Sequence, residues 1–140
     1  MNNFLENNKL AVVEAAAAAA QTTLTSDTVD MKGFDTLTFA TLLGDVSDTS
    51  VLTLTIHHSD ASASGFAATT ATTTFTAGAS DADSKLMAVE MTYPTKRYAR
   101  AVLTRGTADA VVGGIVAIQS NANAAPVTQD ATVIASAQAV

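Results

Sequence analysis

The stretch from Leu86 to Gln119, LMAVEMTYPTKRYARAVLTRGTADAVVGGIVAIQ, limits what the chain can fold into more than any other part of it. Met87, Val89, Met91 and Tyr93 alternate with Ala88, Glu90 and Thr92, the period-2 pattern of a strand with one apolar face. Pro94 ends that strand, because it has no N–H to give to a ladder. Lys96 and Arg97 fall in the turn that follows. From Arg97 to Thr104, Ala99, Ala101 and Leu103 face one way and Tyr98, Arg100 and Val102 the other. Gly106 to Asp109 reads as the next turn. Val111 to Ile118 is almost wholly apolar, as a strand covered on both faces would be. The expectation is a meander of three strands on which every other part of the chain packs.

Upstream, Asp35 to Leu43 places Leu37, Phe39, Thr41 and Leu43 on one face. Gly44 to Asp48 is a turn, and Val51 to His58 is a strand with Leu52, Leu54 and Ile56 inward. Ser59 to Gly65 is a polar loop. Phe66 to Thr76 is a Thr/Ala-rich strand anchored by Phe66 and Phe75, and Ala77 to Lys85 is a further loop. Strands at intervals of roughly 10–15 residues, with turn signals between them, predict an all-β fold, an antiparallel β-sandwich of jelly-roll type.

The 140 residues make one domain, read as an N-terminal arm (1–30), a sandwich core (31–119) and a C-terminal arm (120–140). Ala15–Ala20 has high helix propensity, but Gln21 to Thr28 looks extended and short isolated helices are marginal. A short helix and an extended segment both remain open there. The arms carry Phe4, Leu5, Val127, Val133, Ile134 and Val140, and Asp130 is the one charge after residue 119. Disordered tails are normally polar and charged, so both arms are expected to be docked.

Charged residues make up 14% of the chain, against about 25% in an ordinary soluble domain. Part of so weakly charged a surface is expected to be buried against a partner. The net charge of −6 argues against a general nucleic-acid binder. With no cysteine there is neither a disulfide framework nor a thiolate metal site. No apolar run approaches the roughly 20 residues of a membrane helix, and the first residues lack the basic start of a signal peptide.

Candidate chemistry is thin. His57 and His58 are adjacent on a strand and point to opposite faces, so they do not readily share a metal. Ser59, His58 and Asp60 are neighbours in sequence without a nucleophile elbow. Asp81, Asp83 and Ser84 resemble half of a calcium loop that lacks its glycine and terminal glutamate. Gly113-Gly114 is not followed by the Lys-Ser/Thr of a phosphate loop and marks a bulge. No catalytic, cofactor-binding or metal-binding residue is assigned, and the chain is not expected to be an enzyme. Lys96, Arg97, Arg100 and Arg105 are four of the seven Lys and Arg. They make either a solvated turn or a docking patch for an acidic protein surface.

VDMKGFD (Val29–Asp35), YPTKRYARAVLTRGTADAVVGGIVAIQ (Tyr93–Gln119) and PVTQDAT (Pro126–Thr132) resemble a family of small virion structural proteins of tailed bacteriophages. The N-terminal FLENNKL is similar too. Relatives often carry lysines before the PVT motif; here Asn121 to Ala125 take that place. The resemblance implies a capsid decoration (cement) protein on the exterior of an icosahedral head, made in the host cytoplasm. Its partners would be the major capsid protein and itself, as a homotrimer, with no nucleic acid and no membrane. Lys96, Arg97, Arg100 and Arg105 would steer it to the shell, and Phe4, Leu5, Val127, Val133 and Ile134 would supply the apolar contact. The other readings are a neck or fibre-base protein and a carbohydrate- or receptor-binding module. The last needs an exposed aromatic platform, which two Tyr, five Phe and no Trp scarcely supply.

Overall fold

The computed structural model describes residues 3–137. One short helix, α1 (Phe4–Asn7), precedes ten strands. These are β1 (Lys9–Glu14), β2 (Ala17–Ala20), β3 (Leu24–Thr25), β4 (Val29–Asp30) and β5 (Phe34–Val46). They continue as β6 (Val51–Ser59), β7 (Ala67–Thr76), β8 (Leu86–Thr92), β9 (Tyr98–Gly106) and β10 (Ala110–Ala122). A front sheet has the order β1–β10–β5–β8, with β2 also on β10. A back sheet has the order β3–β9–β6–β7, with β4 also on β9. Every pairing is antiparallel, and the two sheets form the jelly-roll-like sandwich.

The strands of 86–119 exist, but they are not a meander. β8 sits at one edge of the front sheet, β9 crosses to the back sheet, and β10 returns to the front sheet beside β5. Each of these strands has one apolar side that must cover another layer. The connections at 93–97 and 107–109 are long enough to span the roughly 10 Å between packed sheets. Val111 to Ile118 is likewise not covered on both faces. Val112, Ile115 and Ala117 are buried, but Val116 reaches solvent. Tyr93, expected on the inner face of β8, lies beyond its end and is exposed.

The core comes from both sheets. Leu37, Phe39, Val112 and Ile115 of the front meet Leu52, Leu54, Ile56 and Leu103 of the back, all fully buried. Each such side chain contributes roughly 1.5–3 kcal/mol of burial. The inward sets expected for the strands at 35–43 and 51–58 are found there. Phe75, expected as an anchor, is 41% exposed.

The first thirty residues are not an arm set apart from the sandwich. β1 and β2 lie on β10, β3 and β4 on β9, and Val13 and Val29 join the core. Residue 31 is therefore no structural boundary. The alanine run is extended, because β10 offers β2 backbone partners that outweigh helix propensity.

The C-terminal segment folds back along β1. Gln129 Oε1 accepts the Leu10 N–H at 2.8 Å, and Thr132 Oγ1 accepts the Val12 N–H at 2.9 Å. Gln129 Nε2 donates to the carbonyls of Leu5 and Asn8, and the Val127 N–H to that of Glu6. Asp130 accepts the N–H and hydroxyl of Thr132, bonds that hold its carboxyl below the ordinary value. PVTQDAT is thus a clip that occupies donors of an edge strand. Val140 lies outside the described residues.

Gly113-Gly114 makes the expected bulge, where the β10–β5 register shifts between Val112 and Ile115. Gly114 has φ +110°, and a Cβ there would stand 2.9 Å from the Glu14 carbonyl oxygen. Gly114→Ala should therefore lower stability by roughly 2–4 kcal/mol, read as a shift in the urea midpoint at unchanged m.

Candidate interaction surface

The four clustered cations do not form a patch. Arg105 is 3% exposed and works inside the sandwich. Its Nη1 donates to the Ala18 and Ala110 carbonyls, both at 2.7 Å. Its Nε donates to the Thr22 carbonyl at 3.0 Å and its Nη2 to Thr22 Oγ1 at 2.6 Å. The side chain ties the segment after β2 to β9 and β10, so it cannot meet a capsid. A guanidinium fits because its fork presents several donors to converging carbonyls.

The other three are engaged as well. Arg97 holds Asp30 through two bonds, Nε to Oδ1 at 2.9 Å and Nη2 to Oδ2 at 2.8 Å. It also lies 5.1 Å from the Tyr98 ring centre. That pairing pulls the Asp30 carboxyl below its ordinary value and raises that of Arg97. Lys96 Nζ is 3.1 Å from Asp60 Oδ2. Arg100 stacks on Phe66, 4.2 Å from the ring centre, opposite His57 on β6. Burial, with help from the Arg100 charge, lowers the His57 value.

The remaining candidates have structural employment. Asp81 Oδ1 accepts the Gly78 N–H and Asp83 Oδ1 the Val46 N–H, each at 2.8 Å. Ser59 Oγ donates to the Ser64 carbonyl and accepts the Ala61 N–H, closing the 59–65 loop. Among the described residues, no three His, Cys, Asp or Glu converge as metal ligands would. No helix among them is long and apolar enough to cross a membrane.

The proposed apolar contacts divide. Leu5 and Val127 are half-buried within the clip, and Val133 is half-buried beside it. Phe4 is exposed on α1, and Ile134 is 98% exposed. The structure does not bring these five side chains into one surface.

It does assemble an apolar surface that sequence reasoning missed. On the outer side of the front sheet, cross-strand partners run in rows: Val12–Val116–Ala40–Ala88, and Leu42 beside Leu86. A third row is Leu10–Ile118–Thr38–Glu90. Leu42 and Leu86 are 54% and 65% exposed. Glu90 is the one charge in these rows and accepts the Thr38 hydroxyl. The signal was present, since Ala40 and Leu42 fall on the side of their strand opposite the core set and the 111–118 run is apolar at every position. The back sheet is the reverse. There Thr53 faces Thr74 with their hydroxyls at 3.0 Å, and Thr55 faces Thr72 at 2.7 Å. One outer face is oily and the other is lined with hydroxyls.

No protein-family model and no curated protein matches the sequence. Among solved structures, the chain is similar to the Eiger TNF of S. frugiperda, with 8% identity and a TM-score of 0.42. That likeness covers 89% of this chain and 99% of the other.

Arg105→Ala should cost roughly 2–4 kcal/mol, because it leaves the Ala18, Thr22 and Ala110 carbonyls without their donor in a buried place. Arg100→Ala should cost far less, and chemical denaturation of the two variants separates them. Acid provides a second check. Depressed values for His57 and Asp30 mean that each favours its deprotonated form when folded. Stability is therefore full above His57's unfolded value, the ordinary 6.5, and begins to fall as pH drops below it. A second loss follows below Asp30's ordinary 3.8, as pH passes through its lowered folded value. Thermal melts across this range should show the upper step removed in His57→Gln and the lower step, to which Asp130 also contributes, reduced in Asp30→Asn.

Proposed function

We propose that the protein is a structural component of a tailed-phage virion, a decoration (cement) protein on the outside of the head. It acts as a homo-oligomer, with a trimer favoured, and its role is mechanical rather than catalytic. The observation that carries this reading is the two-sided sandwich, with an apolar and nearly uncharged front face opposite a threonine-lined back face. Exposed apolar surface of this continuity marks an association site on a protein. The threonine face suits contact with water. The likeness of VDMKGFD, the 93–119 block and PVTQDAT to virion structural proteins supplies the particular setting.

In this reading the front face takes over from Phe4, Leu5, Val127, Val133 and Ile134 as the durable apolar contact, and the steering cations Lys96, Arg97, Arg100 and Arg105 already have partners within the chain. Stable obligate assemblies often bury more than about 2,000 Å² in total, which needs the front face together with its flanks. Many modest contacts repeated over a shell would give retention through avidity.

Mixing purified protein with shells that lack it tests the proposal, through co-sedimentation and the temperature at which shells break. The wild-type protein should bind and raise that temperature. Leu42→Glu combined with Val116→Asp should abolish self-association in light scattering while leaving the circular dichroism spectrum of the sandwich intact. A wild-type protein that neither co-sediments nor protects shells removes the decoration reading, and a place at the neck or fibre base then takes over.

A further inference from the structure

Tyr93 is displayed against the interests of folding. Its ring is 76% exposed, which forgoes the burial that an aromatic side chain normally gains. Its backbone lies in the left-handed region at φ +48°, which is unfavourable for a bulky residue. The Tyr93 N–H is tied to the Asp35 carbonyl at 2.6 Å, so the strained turn before Pro94 is held in place. Strain of this kind that the fold maintains tends to collect at functional sites.

The ring stands between two open clefts. One, of about 540 Å³, lies between residues 31–35 and 93–97. In it Lys32 Nζ and the Asp35 carboxylate make no hydrogen bond or ion pair. The other, of about 450 Å³, is lined by His58, Glu90, Thr70 and Thr92, with Thr69, whose hydroxyl is held by the Ile56 carbonyl. The Nδ1 of His58 is buried without a hydrogen-bond partner. Both volumes fall in the range of ligand sites, roughly 300–1,000 Å³.

Neither cleft carries excess positive charge. In the first cleft Lys96 and Arg97 pair with Asp60 and Asp30, and Lys32 and Asp35 line the same cleft; the second cleft carries Glu90. An anion would find little net attraction, one carboxylate is too few to hold a cation, and the clefts are too open to enclose an apolar ligand. A flat exposed ring flanked by hydroxyls, carboxylates and a free ammonium suits a neutral polyhydroxylated chain. The C–H face of a sugar stacks on the negative face of the ring, and its hydroxyls both give and accept hydrogen bonds. We infer that Tyr93 is the stacking platform of a carbohydrate site, taking an oligosaccharide that lies across the ring and reaches into both clefts.

This inference is independent of the virion reading. The chain has two tyrosines and no tryptophan, so ring-proton NMR of the full-length protein reports cleanly on the site. The probes are maltotetraose, cellotetraose and N-acetylchitotetraose. At least one should move the Tyr93 ring signals and leave those of Tyr98 in place, with a Kd of roughly 0.1–1 mM. By calorimetry, Tyr93→Phe should hold affinity within about threefold, while Tyr93→Asn, which suits a left-handed backbone, should lose at least about tenfold. Leu42→Glu with Val116→Asp should bind the same sugar unchanged, which keeps failure of the oligomer distinct from failure of this site. If no probe moves Tyr93, or Tyr93→Asn still binds, the inference is overturned. Tyr93 signals that respond only to protein dilution would overturn it as well, and would assign the ring to a protein contact.

Discussion

The backbone ladder of β10 is the interaction on which the rest of the molecule depends. This strand bonds to β5 along one side and to β1 and β2 along the other, so it joins the chain's beginning, middle and end. Lys9 pairs with Gln119 and Phe34 with Ala122. Such pairings are non-local, and their loop-closure entropy has to be met before any of them is rewarded. Local details serve this ladder. Gly114 lets the Glu14 backbone come close, Thr41 Oγ1 donates to the Gly114 carbonyl at 2.8 Å, and Arg105 reaches the Ala110 carbonyl from β9.

With the ladder in place, the character of each outer face follows from strand alternation. Strands that put Leu37, Phe39, Val112 and Ile115 inward must put Ala40, Leu42, Val111 and Val116 outward or nearly so. On the back sheet the outward positions of β6 and β7 include Thr53, Thr55, Thr72 and Thr74, whose hydroxyls bond in cross-strand pairs. The chain thus separates two kinds of surface without using charge, which is why its low charge content is compatible with an ordered fold. Weak charge and an oily face act in the same direction, since little opposes the approach of another apolar surface.

The layers were legible because alternation is a local property. Leu52, Leu54 and Ile56, or Ala99, Ala101 and Leu103, announce their inner faces by spacing alone. Strand order was not legible. Nothing within β8, β9 and β10 says that they take turns between sheets, because that depends on which layer covers which. The basic cluster misled for a similar reason. Nearness in sequence counted Arg105 with Lys96, although strand alternation and distant carbonyls send it inside. Tyr93 was drawn into the β8 pattern by one apolar position too many, and the turn before Pro94 rotates it out. The clip was visible only as a tail too apolar to be free. Its partners on β1 lie more than a hundred residues away, beyond any local signal.

The clip also changes the chemistry of a sheet edge. A strand edge with unmet donors and acceptors behaves as a reactive end group toward other strands. In the front sheet one such end is capped by Gln129 and Thr132, while β8 at the other end carries no further strand. In the language of polymer chemistry, Gln129 and Thr132 act as protecting groups on one end of the sheet. A strand that approaches β1 finds the Leu10 and Val12 donors already taken, and removing the two side chains would return those donors to reactivity.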